Sequence, residues 1–182
     1  MTMTTLFRAV AIFLTVTMST TVLAQQKKPA SNPTEGAILL GQFGDWGAYR
    51  ATPGGQKICF ALSKPTSSKT EPTGRTRDPA YAFVSTRPKE RVKNEVSVIV
   101  GYPQKPGFDA TASVGPAAYA MYTQNDGAWV KNAAEEAQMV ETMRKGSDLV
   151  VKSESARGTK TTDTFSLKGI AQALDRVAEE CK

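Results

Sequence analysis

The sequence predicts a mainly β protein, an antiparallel sandwich of about eight short strands with two helices, the second at the C-terminus. Three observations carry the prediction. Short runs rich in β-branched and aromatic residues recur along the chain, as in 79–86 (PAYAFVST) and 95–101 (EVSVIVG). These runs follow one another across turn residues rather than alternating with helices, which favours antiparallel pairing over a parallel α/β sheet. The apolar period then changes from two to near 3.6, once after Asn132 and once after Ser166. The chain contains no internal repeat.

Residues 1–24 read as a cleaved secretory signal peptide. Arg8 gives the positive start, 9–18 is a short apolar run, and Val22-Leu23-Ala24 supplies the cleavage pattern. The expected cut lies between Ala24 and Gln25. The run is shorter than the roughly 20 residues a spanning helix needs. No later stretch is apolar enough, so no transmembrane segment is expected in the mature chain. Removing 24 of 182 residues leaves 158, and losing Arg8 takes the formal charge from +6 to +5.

Residues 25–37 are polar, proline-bearing and aperiodic, a flexible lead to a single domain over 38–182. Residues 38–49 carry Phe43, Trp46 and Tyr49 among glycines and open the fold. Thr52-Pro53-Gly54-Gly55 is a turn by composition. In 57–63 (KICFALS), Ile58, Phe60 and Leu62 alternate with Cys59 and Ala61, so the two segments form a hairpin. Residues 64–78 (KPTSSKTEPTGRTRD) hold no apolar residue and read as a long mobile or functional loop. Strands 79–86 and 95–101 flank the charged stretch 87–94. Pro103, Pro106 and Gly107 make 102–109 a second loop. Strands 117–123 and 128–130 flank Asn125-Asp126-Gly127, a strong hairpin signal. Asn132 caps a helix with Glu135 three residues on, Met139, Val140 and Met143 form its stripe, and Gly146 suits the C′ position. Strands 148–155 and 159–167 flank Ala156-Arg157-Gly158. Ser166 caps the last helix, on which Ile170, Leu174, Val177 and Cys181 share one face.

Composition narrows the chemistry. The chain has 23 Lys+Arg, 17 Asp+Glu, two Cys and no His. Without histidine there is no Ser-His-Asp triad, no Cys-His dyad and no imidazole metal ligand. Two cysteines fall short of a structural zinc site. No phosphate-cradling, nucleophile-elbow or EF-hand pattern occurs. No catalytic residue, metal or cofactor is expected. The carboxylates are scattered, which leaves a carboxylate- or Lys-based hydrolase as an alternative.

Export gives the cysteines a meaning. In an oxidising compartment the simplest reading is one disulfide, Cys59–Cys181. Two free thiols or an intermolecular bond are the other readings.

The clearest electrostatic feature is Arg87, Lys89, Arg91 and Lys93 at every second position. An extended backbone would put all four on one face. With Lys64, Lys69, Arg75 and Arg77 they would make a basic contact surface for an envelope component, an anionic surface or a protein partner. The plainer reading is a charged edge that resists sheet-to-sheet aggregation. Nucleic acid is not expected, since the chain is exported and carries no nucleic-acid-binding pattern.

Phe43-Gly44-Asp45-Trp46, then Lys57-Ile58-Cys59, resemble the invasion-associated locus B family, as do Ser166-Leu167-Lys168-Gly169-Ile170 and the helix end at Met139 to Gly146. The chain departs from that family at Arg50, where members usually carry a cysteine. The resemblance implies a small, β-rich, exported periplasmic or cell-surface protein with a link to host-cell invasion. It implies no catalytic residue. The function expected is therefore non-enzymatic binding at the envelope, with a hydrolase or a periplasmic inhibitor or chaperone-like factor as alternatives.

Overall fold

The computed structural model describes residues 32–182. The expected signal segment 1–24, the expected cut between Ala24 and Gln25, and residues 25–31 of the expected lead lie outside the described residues. The elements run β1 (Ile38–Phe43), β2 (Trp46–Ala51), β3 (Ile58–Ser63), β4 (Ser67–Glu71), β5 (Tyr81–Arg87), β6 (Val92–Ile99), β7 (Ala110–Val114), β8 (Ala117–Gln124), β9 (Gly127–Val130), α1 (Ala133–Lys145), β10 (Asp148–Glu154), β11 (Lys160–Ser166) and α2 (Ile170–Glu180). The mainly β, antiparallel class with a C-terminal helix holds, with eleven strands in one sheet rather than about eight. The additional strands are β4, β7, and the division of 38–49 into β1 and β2.

The strand order is β1-β2-β3-β5-β6-β9-β8-β7-β10-β11-β4. Consecutive β3 and β4 lie near opposite ends of that order, yet only residues 64–66 join them. Such a link spans at most roughly 14 Å at about 3.5 Å per residue. The sheet must therefore fold over until its two halves meet. The β1–β2 turn closes the fold. Asp45 N–H donates to Lys168 O (3.0 Å) and Trp46 Nε1 to Ser166 O (2.8 Å), while Ser63 Oγ donates to Asp45 O (2.7 Å). Gly169 sits at φ 91°, and a Cβ there would run into Phe43 O. The 43–46 and 166–170 motifs are thus two sides of one contact.

Alternation sends one set of side chains inward. Trp46, Ala61, Val84, Val98, Met121 and Phe165 are among those buried there. Against this face α2 covers β1, β2 and β3, and α1 covers β6, β8 and β9. In β7, Ala110 and Ala112 lie opposite Met121 and Tyr119, so small residues make room for large ones. The Cys59–Cys181 disulfide ties β3 to the end of α2, with Cα atoms 5.9 Å apart. Arg50 donates to Glu180 Oε1 (3.1 Å) beside it, and Lys57 reaches the Glu180 carbonyl.

Two capping expectations change in detail. Asn132 caps α1 as expected, accepting from Glu135 N–H at 2.9 Å. Gly146 is extended (φ −83°) rather than left-handed. It is needed for space, because a Cβ would strike Val114. Ser166 ends β11 and accepts from Lys168 N–H, while Gly169 is the N-cap of α2.

Candidate functional site

At one end of the sheet, the connections after β4, β6, β8 and β10 surround a cleft of about 530 Å³. Main-chain hydrogen bonds stitch its walls together. Asp78 N–H donates to Gly101 O (3.1 Å), Val100 to Asp126 O (2.8 Å), Gln104 to Asn125 O (2.8 Å) and Ala156 to Pro103 O (3.0 Å). Gly101 has φ 76°, and a Cβ on it would run into Asp78 O, so the first wall approaches this closely only at glycine. Gln104, only 6% exposed, holds the third wall. Its amide donates to Gly127 O (2.7 Å), and its oxygen accepts from Ser153 Oγ (2.5 Å).

Arg77 is the fixed cation of the cleft. It donates to Val100 O (2.6 Å), Ser68 Oγ (3.0 Å) and Asp163 Oδ1. Asp163 is fully buried, and Ser68 Oγ also donates to its Oδ1 (2.7 Å). Its Oδ2 is buried with no hydrogen-bond partner among the described residues. The guanidinium lies 5.9 Å from the centre of the Tyr102 ring, whose hydroxyl meets Thr161 Oγ1 at 2.5 Å. Three of the five guanidinium N–H donors are thereby engaged. Arg75 and Arg157 also line the cleft, are exposed, and make no side-chain hydrogen bond or ion pair among the described residues. The cleft therefore offers two unspent guanidinium forks beside one held in place.

The eight basic residues expected to form one surface go to four places. Arg75 and Arg77 line the cleft. Lys69 alternates to the opposite face from Ser68 and Thr70, and lines a separate groove over β10 and β11. Lys64 Nζ sits 5.9 Å above the Tyr81 ring. Arg87, Lys89, Arg91 and Lys93 lie at the far end of the β5–β6 hairpin. From Lys93 to Val100 the strand runs roughly 23 Å at about 3.3 Å per residue.

The extended strip at 87–93 is corrected. Pro88 starts a 3-10 turn over Pro88–Glu90, and Arg91 and Asn94 have positive φ (58° and 59°). The chain reverses there, so the four charges do not share a strand face. Arg87 is also spent internally, on Glu95 (2.9 Å to each oxygen) and Glu90 (2.7 Å). The Glu95 hydrogen bond, helped by Glu90 and opposed by desolvation, holds its pKa above the usual guanidinium range. The view of 64–78 as one long loop is corrected too, because Ser67–Glu71 pairs with β11 as an edge strand.

The sequence reading did not single out Arg157, Tyr102, Gln104 or Asp163 as site residues. Arg157 carried a signal, as the one cation in the Ala156-Arg157-Gly158 turn. Asp163 carried none, since an acid in a Thr-rich strand looks like a solvated one.

The family model described as invasion associated locus B (IalB) protein matches residues 50–178. The chain belongs to the invasion associated locus B family. No curated protein and no solved structure matches it. The IalB match runs from the end of β2 into α2 and contains every residue of the cleft. The Phe43–Trp46 turn lies just before it. Among the described residues of this IalB-family chain, no helix is long and apolar enough to cross a membrane.

Proposed function

We propose that this protein is an exported, non-enzymatic binding protein of the periplasm or cell surface, and that its ligand face is the arginine-lined cleft. The observation that carries the reading is the pair of unspent guanidinium groups, Arg75 and Arg157, beside the anchored Arg77. Guanidinium forks match carboxylate and phosphate geometry and bind such groups through paired charge-assisted hydrogen bonds. Export is supported by the pattern of residues 1–24, the family, and an internal disulfide of the kind that persists in oxidising compartments. The family's name adds host-cell contact as a setting for the binding.

A carboxylate hydrolase is the second reading, because Asp78 and Asp126 line the same cleft. A general acid needs a dry, apolar surrounding to stay protonated at neutral pH. Asp126 is exposed at a turn, which favours binding over hydrolysis. An inhibitor that inserts 64–78 into a partner has less motive, since Ser67–Glu71 of that stretch is paired with β11 and Arg77 is clamped to Asp163.

The test is sedimentation of the mature protein with purified envelope fractions. Arg75→Glu with Arg157→Glu should abolish retention, and Lys89→Glu with Lys93→Glu should leave it unchanged. The reverse pattern would move the contact surface to the 87–93 turn and overturn the reading.

A further inference from the structure

Resting on the reading of the cleft as a ligand site, we infer that its ligand is an acidic sugar, a hydroxyl-bearing ring with one carboxylate or phosphate group. The charges of the cleft are mixed rather than uniformly positive. Asp126 lies on the same wall system as Arg75 and Arg157, and its carboxylate makes no hydrogen bond or ion pair among the described residues. A polyanion would meet that carboxylate at a cost. A ligand with a single anionic group and neutral hydroxyls uses both kinds of side chain. Its anion takes the guanidinium forks, and its hydroxyls donate to a carboxylate that has only acceptors to offer.

The walls agree with this chemistry. Four threonines, Ser155 and Asn125 line the cleft, and no Val, Leu, Ile, Met or Phe does. Hydroxyl and amide groups both donate and accept, which suits the hydroxyls of a sugar. A peptide would find a place for its terminal carboxylate but only Tyr102, Pro103 and Ala156 to receive an apolar side chain. The volume lies within the range of roughly 300–1,000 Å³ usual for small-ligand sites. The site is also held ready. Arg77, Tyr102 and Gln104 are fixed by buried or half-buried contacts, so the ordering that opposes binding falls mainly on the exposed Arg75 and Arg157 side chains.

The experiment is calorimetric titration of the mature protein with five probes: methyl glucuronide, glucose 6-phosphate, a neutral disaccharide, inorganic phosphate and an acidic tripeptide. At least one acidic sugar should bind about tenfold or more tightly than the neutral sugar and inorganic phosphate, the scale of one charge-assisted contact. Methyl glucuronide against glucose 6-phosphate tells which anion is preferred. Arg157→Ala and Arg75→Ala should each weaken that binding by about tenfold, and so should Asp126→Asn. These side chains are exposed and unpartnered, and unchanged circular dichroism checks the fold. If inorganic phosphate binds as tightly as either sugar and Asp126→Asn strengthens binding, the sugar inference is overturned while the anion-binding cleft stands. Preference for the tripeptide overturns it in favour of a peptide. If no probe binds and the envelope retention proposed above is also absent, both readings fall. Cleavage of methyl glucuronide, abolished by Asp126→Asn, would support the sugar and overturn the non-enzymatic assignment.

Discussion

Replacing both bridged cysteines, Cys59→Ala with Cys181→Ala, removes a cross-link between residues 122 apart in sequence. In the chain-entropy model a loop of that size costs the unfolded chain about 16 cal/mol/K, or about 5 kcal/mol at 25 °C. That is an upper figure. The α2 stripe of Ile170, Ala173, Leu174 and Val177 stays buried without the bridge, and Arg50 and Lys57 still hold Glu180. The expected loss is therefore about 3–5 kcal/mol, a large part of the roughly 5–15 kcal/mol of a typical domain. Alanine is the right replacement because both positions are buried and a serine hydroxyl would add an unpaired polar group. Urea unfolding of the mature protein, followed by the fluorescence of buried Trp46, reads the effect. With a slope of about 1–3 kcal/mol/M the midpoint should fall by at least about 1 M. Reduced wild-type protein should behave like the double variant. A midpoint within about 0.3 M of wild type would refute the argument that the bridge restrains the unfolded chain.

Three further outcomes follow from single contacts. Trp46→Phe leaves Ser166 O without its donor at the sheet closure and opens a small void, at an expected cost of about 2–3 kcal/mol; a loss under about 0.5 kcal/mol in the same urea assay would contradict that role. Arg77→Met strands the buried Asp163 carboxylate and should cost about 3–5 kcal/mol, most of it recovered in Arg77→Met with Asp163→Val; an equally unstable double variant would contradict the ion-pair account. Glu136 accepts from Val96 N–H at 2.8 Å, and its pKa is raised by burial and by Glu95, against that hydrogen bond and Arg87. Its protonated form thus contributes stability that is fully present below the unfolded-state pKa and is lost as pH rises through the raised folded value. Glu136→Gln should remove that fall, so the variant gains on wild type as the pH of the unfolding assay is raised from 4 to 7; a gap independent of pH would count against it.

Much of this fold is legible in the sequence wherever a strand has an apolar face to announce it. The alternation in 57–63 gives β3, and the Asn125-Asp126-Gly127 turn gives the β8–β9 hairpin. The Cys181 position on the α2 stripe points at the disulfide partner it meets. Strand β4 is hidden because SSKTE has nothing to bury. It is an edge strand, held by main-chain pairing and by the polar contact of Ser68 with Arg77 and Asp163. Strand β7 is hidden because ATASV is built of small residues sized to Met121 and Tyr119 on its neighbour.

The cleft is harder to read for a different reason. Arg75 and Arg77 belong to one charged stretch, but Arg157 and Asp163 lie about 80 residues on. The β11–β4 pairing, at the far edge of a folded-over sheet, and the main-chain bonds of both stretches to 101–103 bring them together. The 87–93 strip shows the opposite error. Its every-second spacing is the pattern of a strand face, but Pro88 sets a turn and Arg91 and Asn94 take left-handed backbone. Spacing alone does not tell a strand from a reversal.

The most direct test of the central claim is the arginine side-chain Nε–Hε spectrum of the mature protein during titration with an anionic sugar. The account predicts that Arg75 and Arg157 shift together and saturate together, with a smaller response from Arg77. Arg87, already held by Glu90 and Glu95, should stay still. Saturable shifts at Arg87 or Arg91 with Arg75 and Arg157 unmoved would place the binding surface at the other end of the β5–β6 hairpin and contradict the account.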